Sequence, residues 1–344
     1  MQNSIFSHPQ FWRALEVSGS IGADRGMQQH VHSTAQGKLI CFSKNHSYGE
    51  YIFDWSWANA YAERGLAYYP KLLSMVPFTP ATHSHFWGPN SEWPELLRQH
   101  ELLLPTHSSS HFLFTTPEEQ AFLGTQDYIL RDSFQYHFFN EGDASFDAFL
   151  GRLKAKKAKN IRQERNFVGL QIERLTGGQL SSDHANEMYE FYLSTLSDKQ
   201  AIPYLTREFF QLMFTTMPNN VLYVRARHNE RTIAGALFFY DSQRLYGRYW
   251  GAHQQVENLH FELCYYQGID FCLEKKLAVF EAGAQGEHKI SRGFRPVLTT
   301  SAHKIRHAGF ANAIREYVET EKKQVSEAMK ELTKLLPFKS NGDQ

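Results

Sequence analysis

Apolar side chains recur along this chain with two different periods. Phe11, Trp12, Leu15 and Val17 have the spacing of one helix face, and Gly19 and Gly22 bring that pattern to an end. An alternation at residues 29–31 and a run at 39–42 predict two strands joined at Gln36-Gly37. Tyr51-Ile-Phe-Asp-Trp55 reads as a further strand, 55–64 as a helix, and 72–78 as an apolar segment closed by Pro77 and Pro80. In the second half, 221–226, 233–240 and 245–250 are aromatic and β-branched runs. The turn-prone His228-Asn-Glu230 and Asp241-Ser-Gln243 separate them, which predicts an antiparallel meander. A helix follows, with Leu259, Leu263, Tyr266, Ile269 and Leu273 on one face and Lys275 and Lys276 in its last turn, and then a short buried strand at 277–280. A last amphipathic helix over 312–336 is expected to pack on its own domain.

The order helix, strands, helix, strand thus occurs twice. The similar segments Tyr48-Gly-Glu-Tyr51 and Tyr246-Gly-Arg-Tyr249 hint at a duplication. The expectation is an α+β chain of two tandem lobes, with mixed, mostly antiparallel sheets flanked by helices. Lobe one would take residues 1–140 and lobe two 166–344, with a connecting helix at 141–165. That connector starts apolar at Phe146, Phe149, Leu150 and Leu153, and then turns basic. Seven cations face the single acid Glu164 over 152–165. Lys154, Lys156, Lys157, Lys159 and Arg162 either offer charge to nucleic-acid phosphates or form a solvated connector.

At 344 residues the chain has room for two ordinary domains, and 36 basic against 36 acidic residues leave no net charge. Any affinity for nucleic acid or anionic lipid must therefore come from a local patch. An aromatic content of 15% suits β-rich cores and wide clefts. Cys41, Cys264 and Cys272 are too few and too scattered for a disulfide framework or a Cys-rich zinc site. With no leader-like N-terminus and no run of eighteen apolar residues, a cytoplasmic protein without a membrane span is expected.

Chemistry is concentrated in Glu281-Ala-Gly-Ala-Gln-Gly-Glu-His-Lys-Ile-Ser-Arg-Gly-Phe294, at the exit of the last short strand. Gly283 and Gly286 allow positive φ and close approach of a ligand to backbone N–H groups. Acyl transfer to an amine needs a base, donors for the developing oxyanion, and a groove that aligns two substrates. His288, Glu281, Glu287, His260 and Glu262 are the candidate catalytic residues. His288 is preferred because imidazole titrates near neutrality, with Glu281 or Glu287 to orient it. Gln285, Gly286, Lys289 and Arg292 would bind substrate, and Tyr249 would line the groove. In the first half His46, Glu50, Asp54 and Lys71 are the polar residues set among aromatics. On a strand Glu50 and Asp54 would share a face, either holding an amine or facing solvent. His260 and Glu262, two apart on a helix, point apart, so no metal is assigned. His83, His85, His107 and His111 read as loop or surface residues.

The segments Lys44-Asn-His-Ser-Tyr-Gly-Glu-Tyr-Ile-Phe-Asp-Trp55, Tyr68-Tyr-Pro-Lys-Leu72, Val76-Pro-Phe-Thr-Pro80, His260-Phe-Glu-Leu-Cys264 and Gly283-Ala-Gln-Gly-Glu-His-Lys289 resemble the FemAB-like family of bacterial peptidoglycan biosynthesis or recognition proteins, over nearly the whole chain. The resemblance implies two N-acetyltransferase-like lobes. It also implies kinship with Fem-type enzymes, which move an amino acid from aminoacyl-tRNA to a peptidoglycan precursor. The donor would then be aminoacyl-tRNA or an acyl-CoA, with no permanently bound cofactor, and the partners a small-molecule or peptide amine and tRNA. The chain departs from acetyl-CoA enzymes in one respect. Gly251-Ala-His-Gln-Gln-Val-Glu257 stands where they carry a Gln/Arg-x-x-Gly-x-Gly/Ala pyrophosphate loop. An acyl-CoA transferase and a non-catalytic peptide or cell-wall recognition module are the competing expectations.

Overall fold

In the computed structural model, residues 4–52, 54–198, 201–284 and 286–339 are described. The first helix, α1 (Pro9–Val17), starts with proline in its first turn and ends before Gly19, whose φ is +63°. Strands β1 (Met27–Ser33) and β2 (Lys38–Lys44) form a hairpin. After it come α2 (Trp55–Glu63), β3 (Lys71–Ser74), β4 (Phe86–Trp87), α3 (Trp93–Glu101), β5 (Ser109–Phe112), α4 (Pro117–Gly124) and the eleven-residue β6 (Ile129–Phe139). Beyond these lie α5 (Phe146–Gly151), α6 (Ala155–Glu164), β7 (Gln171–Thr176), α7 (Ser182–Asp198) and α8 (Arg207–Thr216). The meander is β8 (Val221–His228), β9 (Arg231–Tyr240) and β10 (Arg244–Ala252). It leads to α9 (Leu259–Phe261), a π-helical turn at Glu262–Tyr266, α10 (Gln267–Lys275), β11 (Val279–Glu281), β12 (Arg295–Ile305) and α11 (Ala308–Lys334).

The expected α+β class holds, and the chain forms two compact units, neither of them continuous in sequence. The first takes 21–134 and 298–329, and the second takes 4–20, 135–297 and 330–339. The sequence reading placed the lobes end to end and therefore drew different bounds. Side-chain complementarity accounts for the difference. Phe11 of α1 meets Phe209 and Phe239, and Phe6 meets Tyr246, all within the second unit. Conversely Ile314 and Val318 of α11 join Trp57, Tyr61, Tyr68, Ile129 and Ile305 in the first. The last helix thus packs on the first unit, against β12 just before it and against residues from the first half of the chain, and not on the lobe expected over residues 166–344.

In the first unit the strand order is β1-β2-β3-β5-β12, with β4 on β2. One face, carrying Leu39 and Phe112, is covered by Trp93, Leu96 and Leu97 of α3. The other is covered by α2 and α11. Residues 45–52 and 54 are turns and loop where a strand was expected over 50–55, because Gly49 and Tyr51 take φ of +77° and +60°. Tyr48-Gly-Glu-Tyr51 therefore lies in a loop, whereas Tyr246-Gly-Arg-Tyr249 lies within β10.

In the second unit the order is β6-β11-β10-β9-β8-β7. All neighbours are antiparallel except β10 and β11, which run parallel over three pairs, from Arg244↔Val279 to Tyr246↔Glu281. Beyond that point β11 stops, while β10 continues to Ala252 past a bulge between Gly247 and Tyr249. The two strands part at Glu281.

Candidate functional site

Glu281 ends β11 where its pairing with β10 stops, and its side chain is buried at 3% exposure. Arg244, from the first position of β10, donates to Glu281 Oε1 at 2.6 Å. Oε2 is buried and has no hydrogen-bond partner among the described residues, since His137 Nε2 on β6 stands off at 4.0 Å. Burial raises the Glu281 carboxyl to about 7, with the Arg244 charge pulling the other way. A carboxylate with one anchored oxygen and one buried oxygen that no described residue hydrogen-bonds, titrating near neutrality, suits proton abstraction.

Lys289 belongs to the short 3₁₀ helix Glu287–Arg292 that follows the glycine turn. It is buried, and donates to the Gly283 carbonyl at 2.9 Å. Burial lowers its ammonium to about 7, with Cys264 opposing. His137 is brought down to about 3 by burial, then by the charges of Arg244 and Lys289. A neutral imidazole thus sits within electrostatic reach of both groups, and Glu281, Lys289, Arg244 and His137 form one neighbourhood.

Other expected residues fall elsewhere. His288 is exposed and bonds Tyr265 Oη at 2.9 Å, so its ring partner is a phenol and neither Glu281 nor the exposed Glu287. Partial desolvation of the ring, then the charges of Arg292 and Lys289, lower its pKa. His260 stands beside Trp250 and Tyr265, 6.2 Å from His288 between ring centroids. Glu262 accepts a bidentate pair from Arg165, both bonds at 3.0 Å, which ties the end of α6 to the π-helical turn. Arg292 is taken up by Glu164 at 2.7 Å and stacks 3.5 Å over Phe261. Tyr249 packs against Tyr192 and Phe210. Gly286 opens the 3₁₀ helix with φ of +115°, and Gln285 lies outside the described residues. A Cβ on Gly251 would collide with the Phe191 carbonyl, so that glycine serves close packing of β10 on α7.

The basic helix docks through Ala158 and Ile161, leaving Lys154, Lys156, Lys159 and Arg162 exposed and Lys157 half-buried. Arg162 reaches Asp147 at 3.3 Å, a solvent-exposed pair.

In the first unit Glu50, Asp54 and Lys71 do converge, through the loop and not along a strand. Lys71, fully buried on β3, donates to Glu50 at 2.8 Å, to Ser47 at 2.7 Å and to Asp54. Lys44 lies 3.2 Å from Glu50 Oε1, and Tyr68 donates to Asp54 at 2.7 Å. Burial opposes the charge on Asp54, but Lys71 and His111 hold its carboxyl down to about 2. Neither acid faces solvent. Two cations against two anions make the cluster self-compensating, which is what burial demands. His46 stays outside, bonded to the Arg25 carbonyl at 3.0 Å.

Sequence reasoning missed Arg244 and His137, and misplaced His83, His85, His107 and His111, all of which are buried. His111 Nδ1 meets His303 Nδ1 at 2.7 Å, while Ser109 and Ser301 each bond a ring of that pair. The signal was the spacing of two in Ser109-x-His111, Ser301-x-His303 and Gln135-x-His137, which sets polar pairs on one strand face.

Three solved structures share this fold. The C-terminal domain of a protein described as a lysylphosphatidylglycerol synthetase from Agrobacterium fabrum is 12% identical with a TM-score of 0.54, over 89% of this chain and 94% of that one. L-PGS from Bacillus licheniformis is 10% identical with a TM-score of 0.54, over 96% and 98%. FemX is 9% identical with a TM-score of 0.54, over 91% and 94%. No curated protein matches the sequence. Among the described residues, no helix is long and apolar enough to cross a membrane. The family model of FemAB-like proteins, described as peptidoglycan biosynthesis/recognition, matches residues 1–340, and the chain belongs to that family.

Proposed function

We propose that this protein transfers an aminoacyl group from a charged tRNA to an amine acceptor of the cell-wall precursor type, with Glu281 as general base. The observation that carries this reading is the buried Oε2, without a hydrogen-bond partner among the described residues, of a carboxyl held at about 7 where two parallel strands part. The acceptor ammonium gives a proton to Glu281. The freed amine attacks the ester carbonyl carbon, a C–N bond forms, and the C–O bond to the tRNA breaks. The released 3′-oxygen takes that proton from Glu281, and the second proton of the attacking nitrogen leaves to solvent as the amide forms. Lys289 supplies an N–H toward the developing oxyanion. The family description supports the acceptor class, and the exposed cations of α6, together with Gly251 serving packing, support tRNA over an acyl-CoA donor.

The test is transfer of labelled amino acid from total charged tRNA to a muropeptide amine. Glu281→Gln should lower turnover about 100-fold or more, the usual contribution of a general base. Retained turnover in that variant, with loss in His288→Ala, would move the base to His288. Stabilisation of the wild type by acetyl-CoA and not by charged tRNA would select the acyl-CoA donor.

A further inference from the structure

We propose that the first unit carries a binding site for a borderline-soft divalent transition metal such as Zn2+, formed by His32, Cys41 and His100. His32 on β1 and Cys41 on β2 are diagonal neighbours on the sheet face that α3 covers, and α3 contributes His100. One ligand atom from each lies within 4.8 Å of the other two. His32 Nε2 and Cys41 Sγ are 3.5 Å apart. That separation is the nitrogen–sulfur edge of a tetrahedron built on Zn–S of about 2.3 Å and Zn–N of about 2.0 Å.

A second observation concerns His100, which is completely buried. Its Nε2 bonds Ser110 Oγ at 2.7 Å, whereas its Nδ1 has no hydrogen-bond partner among the described residues. If Nε2–H donates to the serine, Nδ1 keeps a lone pair, the arrangement in which an outer partner fixes the tautomer of a ligating histidine. A buried ring nitrogen left unpaired costs stability that coordination would recover. The nearby cation Lys304 is paired with Glu101 at 2.8 Å. His30 and His107 each hold Ser43 at 2.7 Å, beside the ligand set and not within it. Because His32 is only half-buried, a fourth position is open to water from that side. Binding releases the Cys41 thiol proton to solvent and forms an S–M bond. The ion would then pin the edge strand β1 and its neighbour to α3.

The test uses the untagged 344-residue chain, stripped with a chelator and titrated with Co2+. The expected result is one equivalent bound, with a thiolate-to-cobalt charge-transfer band that Zn2+ abolishes. Cys41→Ser should remove the band, and His32→Gln, at a half-buried edge position, should weaken binding by about tenfold or more. Circular dichroism identifies which variants are folded, and His32→Gln decides if Cys41→Ser is not. No band in the wild type, or a band of unchanged strength in a folded variant, overturns the proposal.

Discussion

Glu281 carries both the proposed chemistry and a cost in stability. Its folded pKa lies at about 7 against an ordinary value of 4.5, because burial disfavours the charged form. With a raised pKa, the stability that the protonated acid contributes is complete below about 4.5 and is lost as pH climbs through 7. At 1.36 kcal/mol per unit the loss is on the order of 3 kcal/mol at pH 8. Glu281→Gln keeps the shape and removes the charge, and Arg244 is 40% exposed, so water can hydrate it once its partner is gone. The variant should therefore be the more stable protein at pH 8, and equal to the wild type near pH 4. Urea melts at the two pH values check this, and a gain that is the same at both would exclude the assigned burial effect. In the wild type the rate should rise with pH and level off above about 7, as the base loses its proton.

Among the elements, α6 holds its charges in an unusual place. Lys154 sits at the N-cap and Lys156 and Lys157 in the first turn, where a cation opposes the helix dipole and an anionic partner relieves the conflict. Reversing Lys154, Lys156, Lys159 and Arg162 to Glu should weaken binding of charged tRNA. The slope of log affinity against log salt should fall by about one for each phosphate that is no longer neutralised. Filter binding across a salt series measures it, and an unaltered slope would remove tRNA as the ligand of this helix without touching the role of Glu281. This helix was legible because its apolar start and cationic continuation are local. The meander was legible for the same reason, its alternating runs being broken at Asn229 and Glu230, both at positive φ. Strands β5 and β12 were not. They read Ser-Ser-His-Phe and Arg-Pro-Val-Leu-Thr-Thr-Ser-Ala-His-Lys-Ile, and such polar residues become buried only by bonding one another across the sheet. The convergence of Glu50 and Asp54 on Lys71 was half visible: the residues were singled out, but the positive φ at Tyr51 that turns the chain was not.

For the molecule, the interleaved chain predicts how it can be divided. β12 pairs with β5 from Ala302↔Phe112 to Ile305↔Ser109, and Ile314 and Val318 fill the core above Trp57 and Tyr61. A fragment of residues 21–134 should therefore give no cooperative urea transition and should bind a hydrophobic dye. Joining 298–329 to it through a flexible linker should restore a sharp transition. A cooperative melt of 21–134 alone would show that this unit does not need its returning segment.

The His111–His303 pair spans 192 residues. On a ribosome adding about 5–20 residues per second, His111 emerges roughly 10 to 40 s before its partner. Throughout that interval β5 offers unpaired amides and carbonyls to any other nascent chain. The birth of this protein is thus the period in which a chaperone matters most to it.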